Sequence, residues 1–195
     1  AAVAGPKSRE VLNNCVEDPS LITNENFPFM GVISTFLKGK IPCRIARISF
    51  SGELAFEVYI KSDFANTMMD LLWENAQKYD GCLYGLEALG ALRVEKGHVT
   101  GAELDGRVTI DDAGLGKMAS IKKSYIGSAM RKRGVLSDDD RQTLVGFFPT
   151  DLKETFNAGT IVCEKHNIKG QGIGRITSVT HSPELGHWIG IGFIE

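Results

Sequence analysis

The sequence predicts an α+β region followed by an all-β region. Apolar residues recur at helical spacing within 6–18, 62–80 and 85–96, whereas they alternate with polar residues within 44–61. After residue 142, apolar residues occur in short bursts that Gly, Pro and Asn separate. We therefore expect helices packed on a sheet, followed by a small antiparallel barrel or sandwich.

The first predicted elements are a short amphipathic helix and a β-hairpin. Pro6 suits the first turn of the helix, whose apolar face ends at Asp18–Pro19 and contains Val11, Leu12 and Cys15. The hairpin spans 44–61 and turns at 51–53. Its alternating apolar residues are Ala46, Ile48 and Phe50 on one strand, and Phe56, Val58 and Ile60 on the other.

Two helices are predicted after the hairpin. Ser62 is a good N-cap for the first, which ends near Asp80–Gly81. Its apolar stripe contains Phe64, Met68, Leu71, Leu72 and Ala76. The second helix is predicted over 85–96, and Gly97 suits its C′ position. Its inward residues are expected to be Leu86, Leu89 and Leu92.

Residues 101–142 lack a sustained periodicity, and the charged stretch 137–141 suits a linker between two subdomains. The strands of the all-β region are then predicted within 144–148, 160–163, 172–179 and 188–194.

Composition narrows the classes of partner. A formal net charge of −2 and the lack of a long basic run give no electrostatic signature for nucleic acid or an anionic membrane, so a small molecule or a protein is the expected partner. No apolar stretch approaches the roughly 18 to 20 residues that span a bilayer. The four cysteines are scattered without metal-ligand spacing, which favours reduced thiols, no metal site and a cytoplasmic location.

Four charged or phenolic residues are candidate ligand contacts. Glu57 and Tyr59 alternate with apolar residues of the second hairpin strand, so both project from the opposite face. Such a face is either solvated or lines a site. Glu53 lies at the turn, with the same two interpretations. Arg93 lies near the apolar stripe of its helix, where a charge should have an ion-pair partner or a ligand.

Several separated motifs carry a family resemblance. The runs VAGPKSREVL, ARISFSGELAFEVYI and YGLEALGALRVEKGH resemble the T-protein, or aminomethyltransferase, superfamily. The runs RVTIDDAGLGKM, KKSYIGS and THSPELGHWIG are more similar to the alpha subunits of heterotetrameric sarcosine oxidases. The resemblance covers nearly the whole chain.

This resemblance implies a fold and a domain division. We expect an aminomethyltransferase-type folate-binding domain over 1–126, with its amino-terminal part missing. A small antiparallel β-barrel domain over 127–195 is expected to follow it, with its last strands missing.

The resemblance also implies a reaction. Such enzymes demethylate sarcosine oxidatively to glycine, transfer the one-carbon unit to tetrahydrofolate and release hydrogen peroxide. This chain would bind tetrahydrofolate, whereas FAD, FMN and NAD would be bound elsewhere in the complete assembly. The implied partners are a flavin-containing beta subunit and smaller gamma and delta subunits. The catalytic acidic residue is expected before residue 1, so its identity is unknown here and the isolated chain is expected to be inactive.

For the folate site, the resemblance and the strand pattern together favour Glu57 as the carboxylate that binds the pteridine ring. Tyr59 would lie beside the ring, and Arg93 would attract the carboxylates of the benzoyl-glutamate. Glu53 is the rival carboxylate, because turn geometry could direct it into the pocket instead.

Three alternatives stay open. A glycine-cleavage-type aminomethyltransferase would use the same folate pocket without a flavin partner, and a dimethylglycine dehydrogenase-like enzyme would carry its flavin in the same chain. A non-enzymatic folate-binding scaffold is disfavoured, because KKSYIGS lacks the Cys and the Gln-Glu of that group's K-G-C-Y/F-x-G-Q-E element.

Overall fold

The computed structural model describes residues 1–120, 122–138, 140–166 and 169–195. The chain divides into two compact units, which we call unit 1 (residues 1–86) and unit 2 (residues 87–195).

Unit 1 is a four-stranded antiparallel sheet with two helices. Its strands are β1 (Ala2–Ala4), β2 (Val32–Leu37), β3 (Ile41–Ala46) and β4 (Ala55–Ile60), and its helices are α1 (Ser8–Cys15) and α2 (Ala65–Gln77). The strand order is β1-β4-β3-β2. The inward side chains of the sheet form one core with the apolar faces of the helices, and Leu12, Ile45 and Phe56 are fully buried in it. Each such side chain contributes about 1.5–3 kcal/mol of transfer free energy to folding.

The predicted hairpin exists, but its first strand begins and ends earlier than expected, and its connection is longer. β3 and β4 pair from Cys43 with Ile60 to Ala46 with Glu57. Beyond Ala46 the chain leaves β4, because Arg47 exchanges backbone hydrogen bonds with Met30 and Gly31. The prediction that Ile48 and Phe50 continue the strand is therefore wrong.

Two other details of unit 1 differ from the sequence analysis. Strand β2 was not predicted, although its buried residues Thr35 and Leu37 do alternate with exposed neighbours. Ser62 is not the N-cap of α2, because 62–64 forms a 3-10 turn and Phe64 precedes the first helical residue.

Unit 2 combines one longer helix with a second antiparallel sheet. The helix is α3 (Leu86–Lys96), whose first residue is the last residue of unit 1. A single helical turn, α4 (Gly134–Ser137), lies before the sheet. The strands are β5 (Thr143–Phe147), β6 (Ile161–Val162), β7 (Gly174–Ser182) and β8 (His187–Ile194), in the order β5-β8-β7-β6. All four predicted strands are confirmed, as is the α+β class followed by an antiparallel sheet.

Helix α3 ends as the sequence predicts. Gly97 has a φ of 71° and donates to the carbonyl of Val94, while His98 donates to the carbonyl of Arg93. This pair of bonds is a Schellman motif, in which glycine avoids the steric cost of the left-handed conformation. Leu86, however, is 86% exposed, so the prediction that it points inward is wrong. The predicted linker 137–141 includes Asp139, which lies outside the described residues.

Candidate functional site

Glu57 and Tyr59 project from the same face of β4, as the strand pattern predicts. The apolar neighbours Phe56 and Val58 are buried on the opposite face, whereas Tyr59 is 50% exposed. The Tyr59 hydroxyl donates a hydrogen bond to the Glu57 carboxylate. This bond raises the pKa of Tyr59, because ionisation would remove the donated proton. The two residues therefore lie together on an open sheet face, and the carboxylate already has a donor.

Tyr59 also lines a surface hollow of about 480 Å³ on this face. Arg44 lies directly across from Tyr59 on β3, and Phe36 and Pro42 supply apolar lining. The face is thus mixed in character, with apolar side chains exposed beside a cation and a phenol.

Glu53 lies in the connection between β3 and β4. Gly52, with a φ of 104°, makes the turn that precedes it. The Oε2 atom of Glu53 is buried and has no hydrogen-bond partner among the described residues. A shielded carboxylate oxygen without a donor is unfavourable, so this atom suits a donor that a ligand would supply.

A phenol lies near this carboxylate. Burial raises the pKa of Tyr84, and the negative charge of Glu53 raises it further. Both effects keep the Tyr84 hydroxyl protonated, so that it stays a hydrogen-bond donor. Glu53 and Tyr84 therefore provide a buried acceptor and a phenolic donor within unit 1.

Arg93 belongs to unit 2, where a carboxylate and a hydroxyl hold its guanidinium. Its Nη1 lies 2.9 Å from Oε2 of Glu103, and its Nη2 donates to Oγ of Ser178 at 2.6 Å. Nη1 also donates to the carbonyl of His98 at 3.3 Å. The ion-pair alternative for Arg93 is therefore what the structure contains.

Glu103 is fully buried and accepts hydrogen bonds on both carboxylate oxygens. Oε2 accepts from the backbone N–H of Thr100 at 2.8 Å as well as from Arg93. Oε1 accepts from the hydroxyls of Thr177 at 2.7 Å and Ser178 at 2.5 Å. Thr177 and Ser178 are consecutive, and a β-bulge between Ile176 and Ser178 allows both hydroxyls to reach one oxygen.

These donors determine the ionisation of Glu103. Burial by itself raises the pKa of the carboxyl, but the hydrogen bonds from Ser178, Thr100 and Thr177 and the charge of Arg93 lower it by more. The net effect is a lowered pKa, so the group is ionised near neutral pH. Glu103 and Arg93 thus form a satisfied buried ion pair that joins α3 to β7.

Of the four residues predicted from the sequence, unit 1 contains Glu53, Glu57 and Tyr59, and unit 2 contains Arg93. The sequence analysis missed Tyr84 and Glu103. Glu103 has a detectable signal, because Thr100 precedes it by three residues, which is the spacing of a capping box. Tyr84 has no such signal. Among the described residues, no group of three or more His, Cys, Asp or Glu side chains could hold a metal ion.

Comparison with known families identifies the class of protein. Residues 1–123 match the family described as GCVT N-terminal domain, and residues 142–195 match the Glycine cleavage T-protein C-terminal barrel domain. The chain therefore belongs to the glycine cleavage T-protein family.

Similar curated proteins fall into two groups. Sarcosine oxidase subunit alpha of Rhizobium meliloti (strain 1021) is 36% identical over 199 residues, which cover 100% of this chain and 20% of that protein. Aminomethyltransferase of Halothermothrix orenii is 30% identical and matches 100% of this chain and 52% of that protein. The chain thus spans one fifth of the length of the first relative and about half of the second.

A solved structure supports the fold independently. Glycine cleavage system aminomethyltransferase T from Bartonella henselae superposes with a TM-score of 0.76 at 20% identity, over 97% of this chain and 49% of that one.

In the part of the chain that the structure describes, no helix has both the length and the apolar character needed to cross a membrane.

Proposed function

We propose that this chain is the tetrahydrofolate-binding part of a sarcosine oxidase alpha subunit. The observation that supports this proposal best is the 36% identity to a sarcosine oxidase alpha subunit along the entire chain. Two further proteins of that name, both from Corynebacterium strains, are 32% and 33% identical over the same extent. The aminomethyltransferase relatives at 30% and 31% identity match less closely.

The residues of unit 1 suit a reduced pteridine. Such a ring presents its N3–H and 2-amino groups as adjacent donors, and one carboxylate can accept from both. We propose Glu53 for this role in preference to Glu57. The Oε2 atom of Glu53 is buried without a donor, whereas Glu57 accepts from Tyr59 on an exposed face. Tyr84 would donate to the same ligand from its position near Glu53.

Arg93 stays a sequence-derived candidate for the glutamate carboxylates of the ligand. Glu103 neutralises its charge, and Ser178 accepts from its second nitrogen. We therefore propose that Arg93 contributes mainly by holding α3 against β7, and that it attracts the glutamate carboxylates of the ligand only weakly.

The bound folate would supply the acceptor for the one-carbon unit, and the residues of this chain would bind and orient it. The proposed complete enzyme oxidises sarcosine with oxygen as the terminal oxidant, which is reduced to hydrogen peroxide. FAD, FMN and NAD would be bound outside this chain, and beta, gamma and delta subunits would complete the assembly. Its catalytic acid is proposed to precede residue 1. The domain division at 126 and a cytoplasmic location remain predictions from the sequence.

The test is sarcosine turnover in the full-length subunit assembled with its flavoprotein partner. We expect hydrogen peroxide formation from sarcosine, and capture of the one-carbon unit on tetrahydrofolate in place of free formaldehyde. An assembly that does not oxidise sarcosine would overturn the proposal.

The second candidate is a glycine-cleavage aminomethyltransferase, which the relatives of that name favour. In that case the full-length protein would use the same folate pocket without a flavin partner and would release no peroxide. The same assay therefore separates the two candidates.

A further inference from the structure

Unit 2 contains a basic cavity that the proposed folate site does not use. It lies in the stretch between α3 and β5 and has a volume of about 590 Å³, which is within the range of small-molecule sites. Among the described residues, four cationic side chains and four serines line it, together with Tyr125. Its composition is therefore that of an anion-binding site, in a chain whose net charge is −2.

The fold creates this charge density from two short basic runs. Lys122–Lys123 and Arg131–Arg133 are separated by seven residues, so the sequence contains no long basic run. A turn brings them together, because Ser128 donates to the carbonyl of Tyr125 and Arg131 donates to that of Gly127. Residues 113–137 contain six Lys and Arg and no Asp or Glu, so no carboxylate within this stretch offsets the charge.

Arg131 is the one cavity cation with a structural ion pair among the described residues. Its Nε and Nη2 each lie 2.7 Å from an Asp111 carboxylate oxygen. This bidentate pair occupies the planar fork with which arginine binds carboxylates. Arg131 therefore fixes the cavity wall and adds little free charge.

The three lysines are different. Lys122, Lys123 and Lys132 are exposed and form no ion pair with a carboxylate of the described residues. Three like charges around one cavity repel each other, and a multiply charged anion would relieve that repulsion. Each ammonium is a compact charge with three donors, and Ser128 adds a hydroxyl from the half-buried wall.

We propose that this cavity binds a small organic molecule that carries phosphate groups. Lysine ammonium groups and serine hydroxyls can donate to phosphate oxygens from several directions, whereas the planar fork of Arg131, which suits carboxylate and phosphate alike, is already occupied by Asp111. The volume exceeds what a single inorganic phosphate needs, so the ligand has two or more phosphates or a further organic part. The proposal is independent of folate binding, because no residue of unit 1 contributes to it.

Pyrophosphate titration by calorimetry tests this proposal. We expect wild-type chain to bind pyrophosphate, and Lys123→Gln and Lys132→Gln each to weaken binding about tenfold, as the loss of a charge-assisted hydrogen bond predicts. Lys153→Gln is the matched control, because it removes the same charge from an exposed position of unit 2 outside the cavity. Circular dichroism verifies that each variant keeps its fold.

Three results would overturn the proposal. Wild-type chain could fail to bind pyrophosphate at millimolar concentration. Lys153→Gln could weaken binding as much as Lys132→Gln, which would indicate general charge screening. Citrate, which has a similar charge and no phosphate, could bind as tightly as pyrophosphate, which would show that the cavity does not select phosphate.

Discussion

Replacing Glu103 by Gln tests whether the buried ion pair stabilises unit 2. The change keeps the side-chain volume but removes the charge that neutralises Arg93, whose side chain is only 13% exposed. Removing one partner of a buried pair costs about 3–5 kcal/mol. The amide oxygen can still accept from Arg93 and Thr100, and the hydroxyls of Thr177 and Ser178 can rotate to accept from the amide. We therefore expect the free energy of unfolding of unit 2 to fall by the lower end of this range, about 3 kcal/mol.

Urea unfolding measures this loss. Trp188 on β8 reports the unfolding of unit 2 by fluorescence, provided that Trp73 of α2 is first replaced by Phe. Glu184→Gln is the control, because this exposed turn residue undergoes the same chemical change and should alter the free energy of unfolding by less than about 0.5 kcal/mol. A loss for Glu103→Gln below about 1 kcal/mol would refute the reasoning.

The same variant has a pH signature. The folded-state pKa of Glu103 is lowered, so its contribution is complete above the unfolded pKa, about 4.3, and declines as the pH falls toward the folded value. The difference in unfolding free energy between wild type and Glu103→Gln should therefore shrink below about pH 4.3. A difference that stays constant down to about pH 2 would contradict a titrating, charge-dependent role.

The remaining predictions concern local features. Burial raises the pKa of Cys15 to about 11, so a thiol-specific reagent at neutral pH should modify exposed Cys82 first, and Cys15 only after unfolding; equal rates would contradict this. Gly97→Ala should lower the free energy of unfolding by about 1 kcal/mol, because Gly97 has a positive φ. Gly90→Ala, in the open middle of the same helix, should raise it by about 0.5–1 kcal/mol, and urea unfolding measures both changes. Gly192→Ala should prevent the C-terminal sheet from folding, because a Cβ there would collide with the backbone carbonyl of Arg175; a native circular dichroism spectrum would refute this.

Apart from β2, sequence patterns predicted the main elements whose residues alternate or repeat within one segment. The β4 face that carries Glu57 and Tyr59 follows from period two alone, and the end of α3 at Gly97 follows from a local backbone requirement. The predictions for Ile48 and Phe50 failed because Arg47 pairs with a loop 16 residues earlier, near Gly31. No local pattern reports such a partner.

In the candidate site, too, local patterns predicted which residues share a face but not which distant residues they contact. The strand pattern located Glu57 and Tyr59 correctly but could not reveal that Tyr59 donates to Glu57, or that an oxygen of Glu53 is buried without a donor. Arg93 was recognisable as a charge in an apolar setting, yet its partners lie 10 and 85 residues away at Glu103 and Ser178. The choice between a ligand and an ion pair therefore required the tertiary structure.

Titration of tetrahydrofolate against Glu53→Gln and Glu57→Gln, in the full-length protein that carries this chain, tests the proposed folate site most directly. Losing a charge-assisted pair costs about 1.5–3 kcal/mol, so Glu53→Gln should weaken binding by about 10- to 150-fold, while Glu57→Gln should change it by less than about threefold. Both variants lose the same charge and differ only in position. An unchanged dissociation constant for Glu53→Gln, or a larger loss for Glu57→Gln, would contradict the assignment of Glu53 as the pteridine carboxylate.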